Sequence, residues 1–253
     1  MNILVTGGTG TLGKLVVARL GSDHAVRVLS RHPSEDGVAG DLDTGEGVDA
    51  ALEGIDVVVH CAGSRKGDDV KASTLVQAAA RAGVGHVVNI SVVGADRVPV
   101  VSGIDRAMFG YFASKLAAER VVAESGLPWT TLRAAQFHEL MLTTARAMTK
   151  LPVVPVPAGT RFQPVAAGEV ADRLVELALA APAGLAPDMA GPRVLPMGDM
   201  LRAYLRARGK HRPLIPVWQP GKAARAFRAG ANLAPDHAVG RLTWEEFLAA
   251  EVA

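Results

Sequence analysis

Tyr111 and Lys115 are the residues best suited to proton transfer, and they stand four positions apart in a segment of helical periodicity. Residues at this spacing project from the same face of a helix, so we expect the two side chains to be neighbours. A phenol ionises at about pH 10, but a nearby ammonium stabilises the phenolate and lowers its pKa. The pair is therefore predicted to provide a general acid or base, Tyr111, with a cationic partner, Lys115.

A second chemical signature is the glycine-rich run from Thr6 to Gly13, which lies between a predicted strand and a predicted helix. Glycine permits a tight turn, leaves bare backbone for a pyrophosphate, and lets the helix pack closely on the strand. The free N–H groups at the start of the helix then face the phosphates. The residues expected to contact a dinucleotide here are Gly7, Gly10, Thr11, Leu12 and Gly13.

A Walker A loop is one alternative, since Gly8 to Gly13 followed by Lys14 matches most of that motif. A nucleotide triphosphatase needs a Ser or Thr hydroxyl for magnesium at the next position, which is Leu15. A glycine turn that binds nothing is the other alternative. The agreement of strand, motif and helix favours the dinucleotide interpretation.

The end of the second predicted strand, Leu29-Ser30-Arg31, bears on the choice of dinucleotide. NAD-binding proteins usually place a carboxylate there to accept hydrogen bonds from the adenosine ribose. Arg31 instead suits a 2′-phosphate, and we expect Ser30 and Arg31 to favour NADP(H) over NAD(H). The alternative is an ordinary surface arginine beside Glu35 and Asp36.

The elements that position these residues follow from alternating apolar runs and segments of helical period. Strands are predicted over 2–5, 25–29, 55–60, 87–90 and 129–132, and helices over 11–20, 70–82 and 111–124. Continuous Val, Ile and Leu runs are typical of strands buried on both faces. We therefore predict an α/β fold, a doubly wound parallel Rossmann sheet with helices on both faces.

Prolines become frequent after Lys150 and interrupt the regular alternation. We divide the chain into a Rossmann NAD(P)-binding domain, 1–150, and a mixed region, 151–253. The second region is expected to complete the sheet and to form a small C-terminal substrate-binding lobe. It contains a predicted helix from Glu169 to Ala180, and Thr243 with Glu246 is predicted to form a capping box at the start of the last helix.

The composition suits one large core, since 49% of the 253 residues are apolar and 21% are charged. A net charge of +2 with scattered basic residues argues against nucleic acid as a partner. No apolar run has membrane-spanning length and no signal sequence is apparent, so a cytoplasmic protein without membrane contact is expected. Cys61 is the only cysteine, and no His pair has metal-binding spacing, so neither a disulfide nor a metal site is predicted.

The glycine-rich run Thr6 to Gly13 and the motifs that follow it along the chain resemble those of the atypical and extended short-chain dehydrogenase/reductases (SDRs). The likeness is greatest to the branch of NmrA-like proteins and NADPH-dependent quinone reductases. The resemblance covers most of the chain. It implies an adenine-side contact, a turn flanking the cofactor after the fourth strand, and a loop on the nicotinamide side. The residues at these places are Asp41, Leu42, Cys61, Ala62, Gly63, Ala134, Ala135 and Phe137.

The same resemblance implies roles for three residues. Lys115 would bind the nicotinamide ribose, Tyr111 would exchange a proton with the substrate oxygen, and Ser91 would hydrogen-bond that oxygen. In the alternative, Tyr111 merely packs while Lys115 still binds the ribose. We interpret Cys61 as a small buried residue rather than a nucleophile.

The substrate pocket is expected to include His138, which follows the predicted strand 129–132, and Gln163. The short region after Lys150 favours a small carbonyl, enone or quinone substrate. We expect an NADP(H)-dependent oxidoreductase, monomeric or homodimeric, that acts on such a small molecule. The alternatives are a non-catalytic NmrA-like NADP-binding redox sensor and a sugar-nucleotide epimerase or dehydratase.

Overall fold

The computed structural model describes residues 1–21, 23–32, 37–64 and 66–252. The strands are β1 (Asn2–Thr6), β2 (Ala25–Ser30), β3 (Gly37–Ala39), β4 (Val57–His60), β5 (His86–Val92), β6 (Trp129–Ala134), β7 (Val154–Pro157), β8 (Arg161–Phe162), β9 (Gly184–Leu185), β10 (Leu195–Pro196) and β11 (Leu214–Val217). The helices are α1 (Thr11–Leu20), α2 (Val48–Leu52), α3 (Asp68–Ala82), α4 (Gly103–Ala123), α5 (His138–Met148), α6 (Ala167–Leu179), α7 (Met197–Ala207), α8 (Lys222–Arg228) and α9 (Trp244–Val252), with a 3-10 turn at Pro235–His237.

Within these described residues, seven strands form one sheet in the order β3-β2-β1-β4-β5-β6-β9. Strand β1 pairs in parallel with β2 and β4, and the pairs β2/β3, β4/β5 and β6/β9 are also parallel. Ile3, Leu4 and Val5 of the central strand have no exposed surface, as a strand covered on both faces requires. The prediction of a doubly wound Rossmann sheet is confirmed.

The strand order places a switch point at the carboxyl end of β1. The chain begins in the middle of the sheet, passes to β2 on one side and later returns to β4 on the other. Connections at such a point diverge and leave a crevice, which is where doubly wound sheets bind ligands. Both the glycine-rich turn after β1 and the turn from Cys61 to Gly63 after β4 therefore lie at this crevice.

The helix that carries Tyr111 and Lys115 begins earlier than the periodicity predicts, at Gly103 rather than Tyr111. Its start is fixed by a reciprocal cap, in which the Asp105 backbone N–H donates to Ser102 Oγ at 3.1 Å and Ser102 Oγ donates to the Asp105 carboxylate at 2.7 Å. The predicted box at α9 is confirmed, since Glu246 N–H donates to Thr243 Oγ1 at 3.2 Å and Thr243 N–H donates to Glu246 Oε2 at 2.9 Å.

The described chain forms two compact units. The first comprises Met1–Ser91, Gly110–Arg133 and Gly168–Pro187, and the second comprises Val92–Phe109, Ala134–Ala167 and Asp188–Ala253. The units are interleaved along the chain and do not follow a single boundary such as residue 150, because α4 and β6 each carry the chain from one unit to the other. Strand β9, from the later part of the chain, adds the last strand to the main sheet.

Each unit has its own apolar core. In the first, Leu4, Leu52 and Leu75 belong to a buried cluster on the sheet. In the second, Trp244 and Leu201 belong to a cluster formed by α5, α7 and α9, next to the small sheets β7/β11 and β8/β10. None of the helices in the described residues has the length and apolar composition needed to cross a bilayer.

Candidate functional site

The turn after β1 brings two stretches of backbone into close contact. Gly7 has a φ of +67°, and a Cβ on it would lie 2.6 Å from the Ala62 backbone nitrogen. A Cβ on Gly13 would overlap the carbonyl oxygen of Gly7. Glycine is therefore required at both positions, because the neighbouring backbone lies too close to leave room for a side chain.

The start of α1 has unused hydrogen-bond donors. Gly10 is the N-cap residue, and no side chain caps the helix there. Gly10 N–H donates to the Gly7 carbonyl at 2.9 Å. The first N–H groups of a helix, here including those of Thr11 and Leu12, have no partner within the helix. Free N–H groups at a helix N-terminus bind phosphate, so this turn fits the pyrophosphate of a dinucleotide.

The residues at the end of β2 lie beside this turn. Thr6 of β1 pairs with Leu29, so Ser30 and Arg31 extend past the end of the pairing. Arg31 is exposed, and Ser30 Oγ accepts from the His32 backbone N–H at 3.2 Å. Glu35 and Asp36, the neighbours weighed against Arg31 as a phosphate contact, lie outside the described residues.

On the expected adenine side, Asp41 closes a local turn by accepting from the Asp43 backbone N–H at 2.8 Å through Oδ1. Leu42 is buried in the apolar core of the first unit. The side chain of Leu42 therefore packs in the core beneath the turn that contains Asp41.

The turn after β4 is held to β1 by Thr6. The hydroxyl of Thr6 lies 2.7 Å from Nδ1 of His60 and accepts from the Ala62 backbone N–H at 3.3 Å. Burial raises the pKa of the Cys61 thiol to about 12, although the charge of Lys115 opposes this. Cys61 is therefore a thiol rather than a thiolate at neutral pH, as expected of a residue that is not a nucleophile.

Lys115 and Tyr111 project from α4 towards the same place. Lys115 is almost fully buried, and its Nζ lies 5.9 Å from the centre of the Tyr111 ring and 3.4 Å from the carbonyl oxygen of Ile90, to which it donates. Of the Tyr111 surface, 40% is exposed. Since Ile90 precedes Ser91 in β5, these contacts bring the three expected catalytic residues to one region of the first unit.

The structure corrects the expected electrostatics of Tyr111. The pKa of Tyr111 lies above its ordinary value because the surrounding protein desolvates the phenolate, even though part of the residue is exposed. Lys115 lowers this pKa, but Asp68 raises it. Lys115 therefore acts in the expected direction, but desolvation by burial outweighs it, and Asp68, a carboxylate that the sequence analysis did not identify, adds to the rise of the Tyr111 pKa.

That carboxylate is Asp68, the first residue of α3 and almost fully buried. Its Oδ2 lies 3.1 Å from Lys115 Nζ. The only signal in the sequence was an acidic residue at the start of a helix that follows the turn after β4, a place where carboxylates are common for other reasons. The pairing joins two helices that are distant in the sequence, and spacing alone could not reveal it.

Ser91 offers a hydroxyl to a ligand. The residue is buried near the end of β5, and its Oγ has no hydrogen-bond partner among the described residues. Buried hydroxyls are normally paired, so an unpaired one in a ligand crevice marks a place where a bound group completes the bonding. The glycine turn, the free helix N-terminus and this hydroxyl together fit a bound dinucleotide.

The expected nicotinamide-side residues lie in the second unit. Ala134 ends β6, and Ala135 N–H donates to the Met189 carbonyl at 2.8 Å. Phe137 is the N-cap residue of α5 and pairs with Val165 in a parallel bridge. Their chain position after β6 agrees with the expectation, and their contact with a cofactor stays a prediction.

His138 and Gln163, the residues expected in the substrate pocket, are both buried in the second unit. His138 is fully buried, stacks on Phe247 with ring centres 5.0 Å apart, and its Nε2 lies 3.0 Å from the Leu242 carbonyl. Gln163 is also buried; it donates to the Gly191 carbonyl at 2.9 Å and accepts from the Ala234 N–H at 3.0 Å. Both side chains make contacts inside the second unit, and their place in a substrate pocket stays a prediction.

Comparison with known proteins agrees with this geometry. The model of a family described as NAD(P)H-binding matches residues 7–182. An uncharacterized protein of Mycobacterium tuberculosis is 29% identical over 229 residues, which are 87% of this chain but 24% of that protein. The chain thus spans about a quarter of the length of its mycobacterial relatives.

A reductase and a solved structure are also similar. The (4-alkanoyl-5-oxo-2,5-dihydrofuran-3-yl)methyl phosphate reductase of Streptomyces griseus is 31% identical over 161 residues, which are 60% of this chain and 54% of the reductase. The structure of an NADPH-dependent quinone oxidoreductase from Escherichia coli, complexed with NADPH, has a TM-score of 0.83 and 18% identity, covering 99% of this chain and 100% of that one. At that identity, the structural likeness shows the shared fold.

Proposed function

Because this chain belongs to the NAD(P)H-binding family, we propose that it is an NADP(H)-dependent oxidoreductase that transfers hydride between nicotinamide and a small carbonyl, enone or quinone. The family membership and the parallel sheet support the resemblance to the atypical SDRs that the sequence suggests. The observation that supports an enzyme most strongly is that Lys115 lies beside Tyr111 and donates to the carbonyl of Ile90, the neighbour of Ser91, whose buried hydroxyl has no partner among the described residues.

The preference for NADP(H) rests on Arg31. Its exposed guanidinium follows β2, next to the glycine turn, where it suits a 2′-phosphate. The E. coli quinone oxidoreductase of the same fold was solved with NADPH, which supports this choice.

In the proposed reaction, the bound cofactor supplies a hydride to the acceptor. Tyr111 donates its phenolic proton to the substrate oxygen that gains negative charge, and the phenol is later reprotonated from solvent. Ser91 Oγ donates a hydrogen bond to the same oxygen and orients it. The ammonium of Lys115 would bind a ribose hydroxyl of the cofactor.

Absorbance of NADPH during incubation with quinones, enones, aldehydes and ketones tests this proposal. We expect one class to be reduced, and we expect Tyr111→Phe to lower kcat by about 10²- to 10⁴-fold, the usual contribution of a general acid. Tyr204→Phe changes the chain's other tyrosine, a buried residue of the second unit, and serves as the control.

Two results would contradict the proposal. Full activity in Tyr111→Phe would show that another group donates the proton. Tight NADPH binding without reduction of any acceptor class would favour the NADP-binding sensor instead.

A further inference from the structure

Asp68 is a buried charge that the proposed reaction does not use. Its Oδ1 accepts from the Ser64 backbone N–H at 2.7 Å and from Ser64 Oγ at 3.2 Å, while Oδ2 lies 3.1 Å from Lys115 Nζ. Burying a carboxylate is costly unless it is paired and hydrogen-bonded, and Asp68 meets both conditions. The carboxylate is thus fixed in place beside the lysine of the candidate site.

The turn after β4 is shaped around this ion pair. A Cβ on Gly63 would lie 2.8 Å from Lys115 Nζ and 3.3 Å from Asp68 Oδ2. The Ile90 carbonyl also accepts from Lys115 Nζ, at 3.4 Å. Lys115 therefore has one well-defined position, with Asp68 on one side and β5 on the other.

The titratable groups near the Lys115 and Asp68 pair come from β4, from the turn after it and from α3. From β4 and its turn come His60 and Cys61, which are both uncharged at neutral pH, since burial lowers the pKa of His60 to about 3 and raises that of Cys61 to about 12. From α3 comes Lys71, whose Nζ is paired with Asp43 Oδ1 at 2.6 Å. Among the described residues, the charges that act on the Tyr111 phenol are those of Lys115, which lowers its pKa, and Asp68, which raises it.

We infer that Asp68 is a positioning residue that fixes Lys115 and cancels its charge, so that Tyr111 remains a protonated phenol ready to donate its proton. This inference rests on the proposed function and adds the direction of the reaction, which is reduction of the acceptor. A site that keeps the phenol protonated favours reduction, in which the acceptor carbon gains hydride, its C–O π electrons move to oxygen, and that oxygen takes the proton from Tyr111. An oxidation would need the phenolate as the base.

Ionisation of Tyr111 can be measured without cofactor or substrate. The chain has two tyrosines, so the phenolate ultraviolet absorbance of the native protein minus that of Tyr111→Phe reports on Tyr111 alone. We expect Asp68→Asn to move this ionisation to lower pH by about one unit, a tenfold rise in the phenolate fraction, because the charge of Lys115 is no longer cancelled. Asp69→Asn, which removes the neighbouring and more exposed carboxylate of α3, should leave it unchanged.

A double variant separates this electrostatic role from a purely structural one. In Asp68→Asn combined with Lys115→Met, the pair is replaced by two neutral side chains, a change that buried pairs often tolerate. We expect the ionisation of Tyr111 to return towards its native pH in this variant. For every variant, the phenolate absorbance is measured as the difference from the same variant that also carries Tyr111→Phe. If Asp68→Asn alone does not fold, the double variant and Lys115→Met still test the inference. Tyr111 should ionise at a higher pH in Lys115→Met, which keeps the Asp68 charge, than in the double variant, which lacks it.

The outcomes keep the inference and the proposed function apart. The same ionisation pH with and without the Asp68 charge, in the presence of Lys115, overturns the inference. If Tyr111 ionises at the same pH in Lys115→Met and in the double variant, the inference is overturned as well. An absence of acceptor reduction overturns the proposed function and leaves the titration of the cofactor-free protein unaffected.

Discussion

Gly7 and Ala62 bring the ends of β1 and β4 into backbone contact: a Cβ on Gly7 would lie 2.6 Å from the Ala62 nitrogen and 2.7 Å from its Cα. The neighbouring atoms belong to the backbone and have little freedom to move aside. This contact lies at the switch point of the sheet and fixes the glycine-rich turn, which we propose faces the cofactor.

Replacement of Gly7 by alanine should therefore abolish NADPH binding. The matched control is Gly54→Ala, because Gly54 has the same φ of +67° but no atom within 4 Å of its Cβ position. The left-handed backbone alone should destabilise Gly54→Ala by about 1–2 kcal/mol and leave binding intact. Fluorescence titration with NADPH and urea unfolding measure both effects, and equal behaviour of the two variants would refute the steric argument.

Arg31→Ala should weaken NADPH binding much more than NADH binding. The guanidinium forms charge-assisted hydrogen bonds with a 2′-phosphate that NADH lacks, and such bonds contribute about 1.5–3 kcal/mol each. We expect Kd for NADPH to rise by at least about tenfold. Titration of the same preparation with both cofactors makes NADH the internal control, and equal losses for the two would remove Arg31 from the 2′-phosphate site.

The sequence predicted the central sheet well because its information is local. Helix α1 starts and ends where the periodicity indicates, and the buried run of β1 marks a central parallel strand. The strand β3 was not predicted, since its three residues are too few to show a pattern.

The candidate site was predicted only in part. The same-face placement of Tyr111 and Lys115 depends on helix geometry and is present in the structure. Asp68, which decides the charge of the site, joins it through tertiary packing that no spacing reveals. His138 follows β6 as expected, but the direction of its side chain depends on Trp244 and Phe247, far along the chain.

Glu119→Gln should lower the free energy of unfolding by about 3 kcal/mol or more, because it removes one charge of a buried ion pair. Arg133 donates to both carboxylate oxygens of Glu119, at 2.9 and 2.7 Å, and each side chain is about one-tenth exposed. The control is Glu176→Gln, which breaks an exposed ion pair with Arg173 on α6 and should change stability by less than about 1 kcal/mol. Urea unfolding at neutral pH distinguishes the two, and a loss of less than 1 kcal/mol in Glu119→Gln would contradict the prediction.

His60 should make the protein less stable in mild acid. Burial, together with the charge of Lys115, lowers the pKa of His60 from 6.5 to about 3 in the folded protein. Below pH 6.5 the unfolded chain binds a proton that the folded protein does not, so stability falls as the pH drops from about 6.5 towards 3. The loss by pH 5 should be about 2 kcal/mol.

Urea unfolding at pH 7.5 and pH 5 should show this loss in the native protein and a smaller loss in His60→Asn, in which an uncharged amide replaces the imidazole beside Thr6. His211→Asn serves as the control because His211 is exposed, and it should keep the full acid dependence. The same acid dependence in His60→Asn as in the native protein would mean that other groups take up the proton. A reduced dependence in His60→Asn alone would identify His60 as the buried neutral base, and would support its uncharged state beside the Lys115 and Asp68 pair.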